Sequence, residues 1–183
     1  QAGGGGGGRV GDGKKEDGIS LQQCLDTWCE EEVLSKGEAW YCPKCKDFVE
    51  AHTKMDLWTL PEVLIIHLKR FSSAGRLRDK IDVPVHFPIE GLDLTDLALG
   101  EGTATSTSSR SQVYDLFAVS NHYGGLGGGH YTAFAKHAQS GQWHEYNDRS
   151  VRPMNASDIS PSAAYVLFYR RRESGQQQAQ AQA

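Results

Sequence analysis

Leu21, Cys24, Leu25 and Trp28 recur at i, i+3, i+4 and i+7, the spacing that lays one apolar stripe along an α-helix. Ser20 stands just ahead of that stripe, with Gln23 three residues after it. The hydroxyl and the amide can each cap the other's backbone N–H, so a helix is predicted to start at Leu21. Gly37 is the breaker at which it is expected to end. After Cys45 the period changes. Val63-Leu64-Ile65-Ile66-His67-Leu68 is an unbroken apolar, β-rich run, the pattern of a strand buried on both faces. Val113 to Val119, Tyr131 to Ala135, Trp143 to Tyr146 and Tyr165 to Tyr169 follow at hairpin-like intervals, each rich in aromatic and small or branched residues. One helix followed by several strands with short returns predicts an α+β fold with a largely antiparallel sheet.

The break at Gln139-Ser140-Gly141 sets a register. If the turn centres between Gln139 and Ser140, Thr132 lies opposite Asn147, and His130 shares a face with Thr132. His130 is then one diagonal step from Asn147, about 7–8 Å at the backbone. Asp148 would point to the other face, although a one-residue slip exchanges the two. Asn147 is therefore the expected orienting residue and Asp148 the second. A histidine held by an Asn or Asp is two thirds of a cysteine-protease site. On these residues alone, a purely structural His–Asn hydrogen bond fits equally well.

The stretch from Asn121 to Gly129 carries five glycines around Leu126. It reads either as a hairpin tip or as a gate where an extended peptide approaches a backbone bare of side chains. Phosphate cradling is disfavoured, because a strand follows and no Gly-Lys-Ser/Thr is present. His122 lies in this stretch and could contact substrate. His67, inside the apolar strand, is expected to be a satisfied core residue. His52, His86, His137 and His144 have no nameable partner.

Cys42-Pro43-Lys44-Cys45 can fill two corners of a tetrahedral zinc site, while a closed site needs four ligands. A turn carrying two free thiols is the alternative. Cys24 lies on the helix stripe, and Cys24 and Cys29 lack knuckle spacing, so the favoured reading is a split zinc ribbon with its other cysteine pair outside this chain. Four cysteines among 183 residues suit metal chemistry in a reducing, intracellular compartment. The net charge of −4 gives no footprint for nucleic acid or an anionic membrane, and no apolar run approaches the roughly 20 residues of a membrane span. Residues 1–18 hold the unbroken run Gly3 to Gly8 and read as a flexible linker. The tail 173–183 and the Ser/Thr/Gly-rich segment 100–112 read as loose, leaving one domain of usual size over residues 19–172.

In order, Cys42-Pro-Lys-Cys45, Leu64 to Phe71, Val85-His-Phe-Pro88, Gly128-Gly-His-Tyr-Thr-Ala133, Trp143 to Asp148 and Ala164 to Tyr169 resemble the C-terminal half of ubiquitin-specific protease catalytic domains. The resemblance covers about residues 19–171. It implies a partial papain-like fold with the thumb missing, residues 19–60 forming part of the fingers and 61–172 the palm. It implies Cys42 and Cys45 as half of the fingers' structural zinc ribbon. His130 matches the general base, Asn147 the third triad position, and Asp148 a neighbouring acid that assists. Residues 72–82 and 120–129 look like the two loops that clasp the C-terminal tail of ubiquitin, whose Gly-Gly end would run beside Gly128, Gly129 and Tyr131, with His122 and Tyr123 also in reach. The implied partners are ubiquitin, ubiquitinated proteins and the N-terminal half of the catalytic domain, in the cytoplasm or nucleus. The family's Gly-Asn-Thr-Cys-like box is not in this sequence. The nucleophile would therefore come from a segment absent here, or the chain would be a non-catalytic ubiquitin-binding module.

Overall fold

The structure is a computed structural model that describes residues 18–35, 37–71, 80–100, 111–125 and 127–173. The linker, most of the tail, and the interiors of segments 72–82 and 100–112 lie outside the described residues.

After a short strand β1 (Ile19–Ser20), helix α1 runs Leu21–Cys29. Its start is as the sequence predicts: Gln23 N–H donates to Ser20 Oγ at 3.1 Å and Ser20 N–H donates to Gln23 Oε1 at 2.8 Å. Its end is earlier than Gly37. Glu30 caps it in an extended conformation, where Glu30, Glu31 and Glu32 would otherwise crowd the negative pole of the helix dipole. The chain then turns to pairing: β2 (Glu32–Val33) meets β5 (His52–Thr53), and β3 (Trp40–Cys42) meets β4 (Asp47–Val49), two separate antiparallel ladders.

The rest is dominated by one seven-stranded antiparallel sheet. Its strands are β6 (Val63–His67), β8 (Leu92–Asp93), β9 (Val113–Gly125), β10 (Gly128–Lys136), β11 (Trp143–Asn147), β12 (Ser150–Met154) and β13 (Ala164–Arg171). The path runs β12-β11-β10-β9-β13-β6, with β8 alongside β9; β7 (Val85–His86) pairs in parallel with β1 outside it. The architecture is thus α+β.

The core lies between this sheet and α1. Leu21, Leu94, Tyr114, Leu116, Val119, Leu167 and Tyr169 are all at most 1% exposed, and Cys24 and Leu25 of the helix pack against them. Although α1 falls in the part expected to belong to the fingers, it packs on the large sheet. The two buried tyrosines keep their hydroxyls satisfied, Tyr114 donating to Pro61 O at 2.6 Å and Tyr169 to Pro88 O at 2.7 Å, which removes the penalty of burying them unpaired.

Strand β6 departs from its predicted burial. Among the described residues it is a terminal strand, paired with β13 only, and Val63, Ile65 and His67 are exposed on one face. His67 is accordingly a surface residue leaning edge-on against Tyr165 at 4.6 Å, not a core residue. A continuous apolar run shows that neither face is polar, not that both are covered here.

Two register shifts in the β9–β13 ladder matter for the site. Phe117 is an extra residue between the pairs Leu116↔Tyr169 and Ala118↔Phe168, and Tyr165 is extra between Ala164↔Asn121 and Val166↔Ser120. Each bulge reverses which alternate residues face inward. Before Phe117 the buried positions are Tyr114 and Leu116; after it they are Val119 and Asn121.

Candidate active site

β9 and β10 form a long hairpin in which His130 pairs with Tyr123, Tyr131 with His122, and Thr132 with Asn121. The expected gate loop is therefore mostly strand, with residues 121–125 and 128–129 in register. Backbone pairing of the glycines is what permits this, since Gly124 adopts φ +95°, with the carbonyl of Gly128 2.9 Å from where a Cβ would stand.

On the other side, β10 pairs with β11 through Ala133↔Tyr146, the register that places Thr132 opposite Asn147. His130, Thr132, Asn121, Tyr123 and Asn147 consequently share one face. His130 and Asn147 meet there: the imidazole Nε2 and Asn147 Oδ1 are 2.7 Å apart. The amide oxygen only accepts, so Nε2 carries the proton and donates. Nδ1 is left with a free lone pair. His130 is exposed, so that lone pair belongs to a base an incoming group can reach. Asp148 takes no place on the strand. It sits in the two-residue turn between Asn147 and Ser150 with φ +49° and an exposed side chain.

The opposite face of the hairpin is a packed support. His122 is 4% exposed and lies among Phe71 at 5.2 Å, Tyr131 at 4.7 Å and Tyr165 at 5.8 Å between ring centroids. Burial, then the nearby Lys80 ammonium, lowers its pKa. Lys80 Nζ donates to His122 O at 3.0 Å. A Cβ at Gly129 would stand 2.2 Å from His122 Nε2. Gly129 is thus required by the ring beneath it, whereas Gly128 has open space where a side chain would be. Tyr131 and Tyr123 are 55% and 42% exposed and present their rings at the surface, while His122 lies under Tyr131.

Three residues around the site escaped the sequence reading. Thr132 and Asn121, both buried, join by Asn121 Nδ2 donating to Thr132 Oγ1 at 3.2 Å; the period of two from His130 was the available signal for Thr132. Arg70, 3% exposed, donates to Ala164 O at 2.7 Å, Ile81 O at 3.0 Å, Val83 O at 2.7 Å and Pro161 O at 3.0 Å. It ties the chain on either side of the expected first loop to the start of β13, which is the neighbour of Asn121. Desolvation lowers its pKa, but a guanidinium starts high enough to stay charged.

Of the other histidines, His52 Nδ1 is 2.5 Å from Glu31 Oε1, His137 Nδ1 is 3.2 Å from Ser140 N, and His144 Nδ1 is 3.2 Å from Gln142 O. None of these is a site-facing pair. Cys42 and Cys45 flank a tight turn closed by Lys46 N donating to Cys42 O at 2.8 Å, with Lys46 at φ +54°. Backbone N–H groups of Cys45 and then Lys44 point at the Cys42 sulfur and lower its pKa, with the Cys45 thiol adding to the effect. This favours a thiolate ligand. Two sulfurs fit half of a tetrahedral zinc site, and among the described residues no His, Cys, Asp or Glu cluster of three or more is present.

The family model described as "Ubiquitin carboxyl-terminal hydrolase" matches residues 12–169. "Ubiquitin carboxyl-terminal hydrolase 9" of Arabidopsis thaliana is 46% identical over 157 residues, 86% of this chain and 17% of the relative. "Ubiquitin carboxyl-terminal hydrolase 15" of Homo sapiens is 44% identical over 159 residues, 87% of this chain and 16% of the relative. Among solved structures, the SAGA Ubp8/Sgf11/Sus1/Sgf73 DUB module bound to ubiquitin aldehyde matches with a TM-score of 0.69 and 28% identity, over 86% of this chain and 34% of that one. The Ubp8-Sgf11-Sgf73-Sus1 SAGA DUB module matches with a TM-score of 0.65 and 29% identity, over 85% and 32%. The chain therefore spans 16–17% of those two relatives and about a third of the solved chains.

Proposed function

This chain belongs to the ubiquitin carboxyl-terminal hydrolase family, and from that membership and the His130–Asn147 pair we propose that it is the histidine-bearing part of a deubiquitinating cysteine protease. Its fold is the sheet-rich, partial papain-like one of the family. The observation that carries the reading is the 2.7 Å bond from Nε2 of His130 to Asn147, which leaves Nδ1 as the exposed base. The nucleophilic cysteine is supplied by a segment outside these 183 residues, since no Gly-Asn-Thr-Cys-like box occurs in them.

In that assembly His130 Nδ1 takes the proton of the cysteine thiol. The sulfur attacks the carbonyl carbon of the terminal glycine of ubiquitin, and an S–C bond forms. When the C–N bond breaks, the leaving lysine amine takes the proton from His130 and a thioester remains. His130 then removes a proton from water, whose oxygen displaces the sulfur, and the thiol is restored. Asn147 fixes the ring and its tautomer throughout. Asp148, exposed beside Asn147, is the secondary acid. Gly128 offers the open backbone beside which the Gly-Gly end of ubiquitin runs, with Tyr131 and Tyr123 on its flanks; Gly129 and His122 shape that wall from behind. Ubiquitin as partner is supported by the ubiquitin aldehyde of the related module. The setting is cytoplasmic or nuclear, in keeping with four free thiols.

Cys42 and Cys45 supply half of a structural zinc ribbon, and zinc would stabilise the knuckle rather than take part in the chemistry. Metal analysis of the chain after dialysis should give less than one tightly held zinc per molecule. A stoichiometric, dialysis-resistant zinc would place the remaining ligands inside this chain.

The function is tested with a fluorogenic ubiquitin C-terminal conjugate. The purified chain alone should not hydrolyse it, because an imidazole and an amide cannot replace a thiolate. Addition of the cysteine-bearing segment of the same protein should restore turnover. Hydrolysis by the chain alone that disappears in Cys24→Ala or Cys29→Ala would overturn the assignment. So would a complex with the cysteine-bearing segment that binds ubiquitin but does not turn over.

A further inference from the structure

The peptide that joins His122 to Tyr123 is bonded at both of its ends. His122 N donates to Ala163 O at 2.9 Å, so His122 turns its backbone groups toward the start of β13. Its carbonyl, on that same side, accepts from Lys80 Nζ at 3.0 Å. Tyr123, next along β9, turns its own groups the other way, toward β10. There it stands opposite His130, with Tyr123 O 2.8 Å from where a Cβ on Gly129 would be. Alternation along the ladder makes Tyr123 and His130 a pair that exchanges both backbone hydrogen bonds. One peptide thus has its oxygen on Lys80 and its N–H on the carbonyl of His130.

The sheet itself gives this end of the hairpin little support. β13 begins at Ala164, opposite Asn121, so β9 runs on past the strand that flanks it. Lys80 stands on the side where a further strand residue would bond. It is well placed to hold. Lys80 bridges to Phe71, and Ile81 N donates to O of the buried Arg70 at 2.7 Å. The Lys80 side chain is 13% exposed, and among the described residues its other acceptor is Asp82 Oδ1 at 3.4 Å, on a side chain 76% exposed. An ammonium so withdrawn from water needs acceptors, and the His122 carbonyl is the nearer one. Phe71, its bridge partner, meets the His122 ring edge-on at 5.2 Å. The pair therefore grips His122 twice, by its ring and by its carbonyl. A carbonyl drawn to an ammonium also polarises its peptide, which strengthens the N–H at the other end as a donor.

We propose that Lys80 is a positioning residue for His130: acting through the His122–Tyr123 peptide, it fixes the β10 backbone at His130, while Phe71 fixes the ring of His122 beneath Tyr131. This rests on the reading of His130 as the general base, and it deepens that reading. The bond to Asn147 orients the imidazole, but a ring is only as well placed as the backbone that carries it. Gly124, Gly125, Gly128 and Gly129 surround that backbone on the two strands, and glycine adds no packing of its own. The tie to Lys80 supplies from outside the hairpin what its glycines cannot supply from within.

Amide hydrogen exchange resolved by residue, together with steady-state kinetics, tests it. In Lys80→Met the amide of Tyr123 should exchange about tenfold or more faster, in the chain and in the enzyme assembled with its cysteine-bearing segment alike. Val119 and Leu167, within the sheet, should be unchanged. In the assembled enzyme kcat should fall about tenfold to a hundredfold, the scale on which a small displacement of a reacting group acts, with KM within about twofold. Lys80→Arg keeps a charged donor on a stem of similar reach and should recover most of the loss in both readouts. A role in stability alone would instead lower the unfolding midpoint and speed exchange throughout the sheet. Tyr123 exchange that Lys80→Met leaves unchanged would overturn the tie, whatever the kinetics. A raised KM at normal kcat would make Lys80 a contact for ubiquitin and overturn its positioning role, while leaving the reading of His130 intact. Wild-type parts that associate without turnover would sink that reading, and the proposal with it.

Discussion

In the enzyme assembled with its cysteine-bearing segment, His130→Ala is expected to lower kcat by about 10²–10⁴-fold, the range for loss of a positioned general base. Affinity for ubiquitin should change little, because His130 contributes a small part of a surface spread over many residues. Asn147→Ala should give a smaller loss of kcat with the same unchanged affinity, since it frees the ring and its tautomer without removing the base. Asp148→Ala should be milder still, because Asp148 sits in a turn at φ +49° with its side chain exposed rather than on the face that holds His130. Steady-state kinetics and ubiquitin titration on the three variants separate these roles. Near-normal kcat in His130→Ala, or a loss in Asp148→Ala exceeding that in Asn147→Ala, would reassign the site.

Arg70→Leu is expected to be the most damaging single change to the fold among residues that do not touch the reacting atoms. The side chain is 3% exposed and holds four carbonyl oxygens at 2.7–3.0 Å. Leucine would fill part of the volume and leave the buried Ala164 oxygen and the part-buried oxygens of Ile81, Val83 and Pro161 without this donor, at about 1–3 kcal/mol for each that water cannot reach. Denaturant unfolding should show a loss on the order of 3 kcal/mol or more, with the largest gain in exchange rate at Ile81, whose N–H donates to Arg70 O. A loss within the ordinary range of a surface substitution, about 0.5 kcal/mol, would mean that the carbonyls find other donors. Lys80→Met makes a useful contrast. It removes one ammonium from His122 O without opening the core, so a drop in kcat there with little loss of stability would mark Lys80 as a positioning residue for the hairpin.

What sequence alone determined were the features set by neighbours along the chain. The capping box of Ser20 and Gln23 is local, and it formed as read. The turn at Gln139-Ser140 is local too, and because side chains alternate with a fixed period of two, its position carried the register far enough to place His130 diagonally across from Asn147. The knuckle of Cys42 and Cys45 is equally a matter of four consecutive residues. Order and wording of the motifs were enough for the family, and hence for the α+β fold.

The remainder depended on contacts between distant segments. Helix α1 stops at Cys29 because Glu32 and Val33 find His52 and Thr53, a pairing no local pattern announces. Val63 to His67 looked doubly buried since hydrophobicity records a preference for burial, while only the order of strands decides whether a partner is present; as the end of the sheet, β6 has one face and one edge open. The glycine-rich stretch became strand because β9 and β10 pair through it, and Gly129 answers to the ring of His122 seven residues away. Asn121 reaches the face of His130 because β10 pairs with β9 so that Thr132 lies opposite Asn121, a register fixed between two strands rather than by either one. Arg70 reads as one more charge in Leu-Lys-Arg-Phe. Tertiary structure alone brings Ala164, Pro161, Ile81 and Val83 around it, and only then does burying a cation become favourable.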